Sequence, residues 1–153
     1  MRLTTFTDYS LRVLVYLALE PGRRATIAGI ASAFGVSEHH LVKVVHHLGR
    51  QGWLRNVRGK GGGLELGKAP ADIRIGELVR DTEQACMAEC FADGSGNCAI
   101  GAVCGLRGML GEAVQAFHAV LDRYTLQDAI GNRAQLVQAL AFDRSRVRTK
   151  ETG

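Results

Sequence analysis

The residues best suited to chemistry in this sequence are four cysteines between residues 86 and 104. Three of them, Cys90, Cys98 and Cys104, are separated by seven and then five residues in a glycine-containing stretch. Structural zinc sites usually use cysteines two to four residues apart in tight pairs, a spacing that is not found here. Iron–sulfur clusters accept thiolates at wider spacing within one loop. The spacing therefore favours an iron–sulfur cluster, and leaves open a zinc site, a thiol redox switch and cysteines that are merely buried.

The compartment decides how these thiols are used. The first apolar run, residues 11–19, is interrupted by Arg12 and has no small-residue cleavage site after it. It is also too short to cross a membrane. We therefore expect a cytoplasmic protein without a membrane partner, in which cysteines stay reduced and serve as ligands or reactive groups.

Charge is distributed unevenly along the 153 residues, whose overall net charge is +4. Residues 1–80 hold twelve Lys or Arg against six Asp or Glu. Residues 81–142 are net acidic, and the tail from residue 143 is basic again. A basic first half on a nearly neutral chain suggests that this half faces an anion, for which DNA is the commonest candidate.

The basic half is predicted to fold as three helices and a hairpin. A Thr5-x-x-Asp8 pair is typical of a helix start, Thr26 is placed to cap a second helix, and Ser37 a third. Strands are predicted at residues 53–57 and 64–66, joined by a glycine-rich basic loop. This order predicts a mainly α fold, a winged helix-turn-helix, with the hairpin as its wing.

Candidate DNA-binding residues lie on the third helix, away from its apolar side, and on the wing. They are Ser37, Glu38, His39, His40, Lys43, His47, Arg55, Arg58 and Lys60. The wing loop lacks the Gly-Lys-Ser/Thr ending of a nucleotide-binding loop. Neither a cofactor fingerprint nor a catalytic triad pattern is found, so an enzyme is not expected.

Beyond the wing, a short helix is predicted near residues 75–82 and a long one from residue 106 to about 124. The apolar stripe of the long helix is longer than a small N-terminal core can absorb, which predicts a homodimer. The expected interface residues are Leu110, Phe117, Val120 and Leu121. The expected organisation is a DNA-binding domain (1–82), a cluster-binding loop (83–105), a dimerisation helix with a C-terminal helical segment (106–142) and a disordered basic tail (143–153).

Several segments resemble the NsrR nitric-oxide-sensing repressors, which share a wider winged-helix family with IscR-like regulators. They are Met1-Arg2-Leu3-Thr4, Phe6-Thr7-Asp8-Tyr9, Val57-Arg58-Gly59-Lys60-Gly61-Gly62-Gly63-Leu64, Ile73-Arg74-Ile75-Gly76 and Tyr124-Thr125-Leu126-Gln127-Asp128. The three cysteines at 90, 98 and 104 match the cluster loop of that family.

The resemblance implies a homodimeric repressor of operator DNA with crossed long helices. It implies that each subunit holds an iron–sulfur cluster that nitric oxide destroys. The implied cluster is of the 4Fe–4S type, with 2Fe–2S as the alternative. Cys90, Cys98 and Cys104 would be ligands, with Asp8 of the partner subunit as the fourth. Cys86 departs from the family pattern and leaves the fourth ligand open between Asp8 and this thiol. The alternative function is a thiol- or iron–sulfur-based redox or iron-status regulator of the same fold.

Overall fold

The computed structural model describes residues 2–83, 99–101 and 103–140. Its helices are α1 (Thr5–Leu19), α2 (Ile27–Phe34), α3 (Glu38–Arg50), α4 (Ile75–Thr82), α5 (Gly105–Leu121) and α6 (Leu126–Ala129). Strands β1 (Leu54–Val57) and β2 (Gly63–Leu66) lie between α3 and α4, and Pro70–Asp72 form a short 3-10 helix. Residues 133–140 are also helical.

The first helix begins one residue earlier than the sequence predicts. Thr4, not Thr5, has the extended backbone of a capping residue, and its side chain accepts a hydrogen bond from the backbone N–H of Thr7. Thr5 is already helical, so the predicted Thr5–Asp8 capping pair is wrong. Asp8 instead lies one turn before Arg12 and pairs with it.

The next two helices begin where the sequence places them. Thr26 caps α2 by accepting a hydrogen bond of 3.0 Å from the backbone N–H of Gly29. Ser37 occupies the capping position of α3, although its side chain makes no capping hydrogen bond. The tight connection between α2 and α3 at residues 35–37 completes the helix-turn-helix.

The wing is a two-stranded antiparallel sheet with one additional pairing. Leu54 pairs with Leu66 and Val57 with Gly63, so the first strand starts one residue later than predicted. Ala25, just before α2, exchanges two backbone hydrogen bonds of 3.0 and 2.7 Å with Leu64. The wing is therefore tied to the helix-turn-helix by backbone as well as by side chains.

The core lies around α1. Leu14 of α1, Ile30 of α2, Leu48 of α3 and Leu78 of α4 are fully buried. Leu126 of α6 is fully buried with them, although the chain passes through α5 before reaching it. Each such side chain stabilises the fold by about 1.5–3 kcal/mol through its burial.

None of the seventeen residues of the long helix α5 is buried, whereas α1, α2, α3, α4 and α6 each bury at least one. Helix α5 begins at Gly105 and ends at Leu121, three residues before the predicted end. No helix in the described ranges is both long enough and apolar enough to cross a membrane. Cys86, Cys90, Cys98 and the predicted disordered tail lie outside the described residues.

Candidate DNA-binding and sensor sites

Helix α3 has one apolar side in the core and one polar side on the surface. Leu41, Val44, Val45 and Leu48 are buried. The residues Ser37, Glu38, His39, His40 and Lys43 are all exposed. The first turns of α3 therefore present polar and basic side chains to any surface that approaches, as a recognition helix must.

His47 lies apart from this exposed set. Its side chain is mostly buried, with Nε2 3.0 Å from Oδ2 of Asp81 on α4, and its ring packs edge-on against Phe6 at 5.3 Å. The sequence placed His47 on the outer face because it follows His40 and Lys43 at helical spacing. Spacing alone could not show that α1 and α4 cover this last turn of α3.

The tip of the wing is basic and exposed. Arg58 and Lys60 both project from the loop between the strands. Gly59 and Gly61 have φ angles of +95° and +75°, a conformation that side chains other than glycine rarely adopt. The glycines thus permit the tight loop that carries these two cations.

Arg55 is exposed on β1 but has a partner. Its guanidinium lies 3.0 Å from the carboxylate of Glu65, the residue opposite it in the β ladder. An exposed pair of this kind contributes about 0–1 kcal/mol, so it does not prevent Arg55 from meeting another anion.

Arg24, just before α2, contacts the wing, and sequence reasoning missed it. Its Nη1 donates a hydrogen bond of 2.7 Å to the carbonyl of Gly61, and its Nε lies 3.6 Å from Glu65. The basic pair Arg23-Arg24 before α2 was the available signal. Its position beside the wing could not be inferred without the pairing of Ala25 with Leu64.

Of the four cysteines, Cys104 alone lies within the described residues. It occupies the capping position at the start of α5 and carries a free, partly exposed thiol. Because Cys86, Cys90 and Cys98 lie outside the described ranges, their positions relative to Cys104 are predictions. Within the described part of the chain, no group of three His, Cys, Asp or Glu side chains could hold a metal ion.

Asp8 lies on α1 with 44% of its side chain exposed. Both carboxylate oxygens face Arg12, at 3.0 Å from Nη2 and 3.2 Å from Nε. Arg12 also lies over the ring of Phe34 on α2. The Asp8 carboxylate is thus held by a cation in its own chain while remaining open to solvent.

Most of the large apolar side chains that are exposed in the described chain lie on or near α5. Leu106, Met109, Leu110 and Val120 are exposed over 63%, 67%, 41% and 43% of their surface. Phe117 and Leu121 are partly covered. The predicted interface residues therefore belong to a helix whose apolar side is not buried by its own chain.

The C-terminal end of α5 is fixed to α4 by an ion pair that the sequence did not indicate. Arg80 binds both carboxylate oxygens of Asp122, and Arg74 donates to the Asp122 carbonyl. The hydrogen bond from Arg80 lowers the pKa of Asp122, with a smaller contribution from the Coulomb attraction between the two. The two ends of α5 thus differ: Cys104 lies at the N-terminal end, and the C-terminal end is anchored to the DNA-binding domain.

Residues 3–132 match the family model Rrf2, described as an iron-dependent transcriptional regulator. The HTH-type transcriptional regulator NsrR of Bacillus subtilis is 47% identical over 92% of this chain and 97% of that protein. The HTH-type transcriptional regulator NsrR of Geobacillus kaustophilus is 48% identical over 89% of this chain and 94% of that protein.

A solved structure of T. potens IscR has the same fold. It aligns with a TM-score of 0.69 over 86% of this chain and 88% of that chain, at 24% sequence identity. The winged helix-turn-helix, the family match and the identity to regulators over nearly the whole chain agree with one another. This chain belongs to the Rrf2 family, as an NsrR-type DNA-binding transcription regulator and not an enzyme.

Proposed function

We propose that the protein is a homodimeric repressor that binds operator DNA and releases it when nitric oxide acts on an iron–sulfur cluster. The observation that carries this proposal is the construction of α5. This helix begins at a free cysteine and leaves its apolar side unburied. One element would therefore serve both the sensor and the dimer.

DNA would be read by α3 and the wing. Ser37, Glu38, His39, His40 and Lys43 would face the major groove, because they share the exposed side of α3. Arg58 and Lys60 would reach phosphates or the minor groove from the wing tip, with Arg55 nearer its base. His47, predicted as a contact, is left out of this face because Asp81 and Phe6 cover it.

The second copy would pack along α5. Burying Leu110, Phe117, Val120 and Leu121 against the same residues of a partner would remove a large apolar surface from water. A two-fold axis would then place the two recognition helices on half-sites about 34–36 Å apart, one helical turn of DNA.

The donor set fits an iron–sulfur cluster. Thiolates of Cys90, Cys98 and Cys104 are the soft ligands that such clusters select, and the described thiol is free and partly exposed. The carboxylate of Asp8 is accessible, so it could serve as an oxygen ligand from the partner subunit by giving up Arg12. Cys86 is the alternative fourth ligand. When bound, the cluster supplies the centre with which nitric oxide reacts.

The protein's own part in signalling is a difference in contacts between two arrangements. Asp8 belongs to α1, against which α3 packs, so a bond from Asp8 to the other subunit's sensor loop would fix the spacing of the recognition helices. If that bond were lost, the Asp8 carboxylate would pair again with Arg12, and the two recognition helices would no longer be held at a fixed spacing. The DNA-competent arrangement is favoured only while the contact across subunits is present.

The test compares three samples purified without oxygen: as isolated, stripped of iron, and reconstituted. The proposal expects a brown protein with absorbance near 400 nm, a dimer, and tight operator binding only in the iron-loaded samples. A colourless protein whose operator binding follows thiol oxidation would instead establish the thiol-based alternative.

A further inference from the structure

One carboxylate oxygen joins the recognition helix to the base of the wing. Oδ2 of Asp81, on α4, lies 3.0 Å from Nε2 of His47 on α3 and 2.8 Å from Nε1 of Trp53, just before β1. Trp53 is buried, and only about a fifth of the His47 and Asp81 side chains is exposed. An acceptor that binds two N–H groups away from bulk water fixes the directions of both donors.

The surroundings of this site include two further elements. The ring of Phe6 on α1 packs edge-on against His47, and the ammonium of Lys68 lies 4.7 Å from the centre of the Trp53 ring. The site around Asp81 is therefore the point where α1, α3, α4 and the two ends of the wing meet.

We propose that Asp81 is a positioning residue for DNA recognition, which sets the orientation of α3 relative to the wing by binding His47 and Trp53 together. The inference rests on the proposed DNA-binding face and deepens it. Base reading by α3 and phosphate contact by the wing must occur on the same stretch of DNA. A change in the angle between α3 and the wing therefore weakens sequence-specific binding more than it weakens attraction to the DNA phosphates.

The fold does not depend on Asp81 to keep these elements together. Leu41, Val44 and Leu48 anchor α3 in the core. The backbone N–H of Trp53 bonds to the carbonyl of Leu48, and the N–H of Gly67 bonds to the carbonyl of Trp53, each at 2.9 Å. These contacts survive the loss of the carboxylate, so its removal loosens an orientation without removing an element.

The site carries its own spectroscopic reporter. Trp53 is the single tryptophan of the sequence, so indole fluorescence comes from this position alone. Loss of the acceptor on Nε1 changes the surroundings of the ring and shifts its emission. This shift shows that the contact has been broken in a folded protein.

The experiment measures the affinity of the full-length dimer for two duplexes by fluorescence anisotropy. One is selected from a random library by the wild-type protein, and the other is a scrambled duplex of equal length. In Asp81→Ala, affinity for the selected duplex is expected to fall about tenfold, the size of one lost base contact, because α3 no longer meets the bases while the wing holds the phosphates. Affinity for the scrambled duplex should change by less than about threefold, since phosphate contacts dominate it. Glu77→Gln, which alters an exposed carboxylate of the same helix, is the matched control.

Two further variants test whether Asp81 acts through its partners. His47→Ala combined with Asp81→Ala should weaken binding no more than Asp81→Ala alone, because Asp81→Ala already removes the contact between Asp81 and His47. Asp81→Leu keeps roughly the size of the side chain, removes the acceptor for both N–H groups and should also lower the preference for the selected duplex. This second variant replaces Asp81→Ala in the binding experiment if Asp81→Ala does not fold. If neither variant folds, Asp81 is required for folding and the proposal is overturned.

Equal losses for both duplexes, or wild-type affinity in a folded variant with shifted Trp53 emission, would also overturn it. Lys43→Ala and Arg58→Ala test the proposed DNA-binding face separately from the positioning role of Asp81. If they weaken binding while Asp81→Ala does not, only the positioning role is wrong. If neither weakens binding, the proposed DNA-binding face is wrong and the positioning role falls with it.

Discussion

At the scale of single residues, the chain sets acidic side chains in three different environments. Asp8 is exposed and paired within its own helix, Asp81 bridges two elements, and Asp122 is exposed and bound by Arg80. Of the three, only Asp8 was singled out from the sequence, as a ligand implied by the family resemblance and as part of a capping pair that proved wrong. The other two depend on contacts between residues far apart in the chain, namely 34 positions for His47 with Asp81 and 42 for Arg80 with Asp122. A local pattern contains no trace of such contacts.

The Asp122 pair should make stability depend on pH in the acid range. Because Arg80 lowers the pKa of Asp122 in the folded state, its stabilising effect is present above the ordinary aspartate value near 3.9 and is lost as pH falls through the folded pKa. Wild type should therefore melt above Asp122→Asn at pH 6, and the difference in Tm should close on acidification. Asp72→Asn, an exposed acid of the DNA-binding domain, is the control, and a gap independent of pH would contradict this account.

The fourth ligand can be assigned with two substitutions. Asp8→Ala should retain an iron–sulfur cluster held by three cysteines, but with an altered visible spectrum and an altered response to nitric oxide. Cys86→Ser should match wild type in both measurements. If Cys86→Ser loses the cluster while Asp8→Ala behaves as wild type, Cys86 is the fourth ligand. The proposed contact of Asp8 with the other subunit is then wrong.

At the scale of elements, the local signals of helices and strands were sufficient for most of the DNA-binding domain. Helix α4 occupies the predicted residues 75–82, and Thr26 caps α2 as predicted. These features depend on neighbours in sequence, namely capping oxygens and apolar side chains at helical spacing. The burial of His47 and the return of α6 to the core depend on tertiary packing, which periodicity does not encode.

The wing should contribute phosphate contacts that can be counted. Arg58→Ala or Lys60→Ala should weaken DNA binding and reduce the slope of log affinity against log salt concentration by about one for each lost contact. Arg133→Ala removes an exposed cation from the 133–140 helical stretch and should leave the slope unchanged. Unchanged affinity and slope in both wing variants would show that the wing does not touch DNA.

At the scale of the whole molecule, the basic reading surface and the apolar α5 belong to different parts of the chain. Leu126 of α6 is buried in the DNA-binding domain, and Arg80 binds Asp122 just after α5. The C-terminal end of α5 is therefore tied to that domain, while its N-terminal end carries Cys104. If Cys104 holds the proposed cluster, a change there would reach the DNA-binding domain through α5 and the Arg80–Asp122 pair.

Dimerisation through α5 should fail when a charge is placed in its apolar side. Val120→Glu should yield monomers or insoluble protein by size-exclusion chromatography with light scattering, because a buried unpaired carboxylate is costly. Gln115→Glu, about 140° away around the helix axis, adds the same charge and should remain dimeric. A Val120→Glu protein that is fully dimeric and binds DNA would place the interface elsewhere.

Release of DNA by nitric oxide acting on the cluster can be followed in an anaerobic titration of the iron-loaded dimer bound to labelled operator, with cluster absorbance and DNA anisotropy recorded on the same sample. We expect loss of the cluster absorbance and release of the operator to rise together with added nitric oxide, and Cys104→Ser to show neither signal. Operator that stays bound after the cluster absorbance has gone would contradict this expectation.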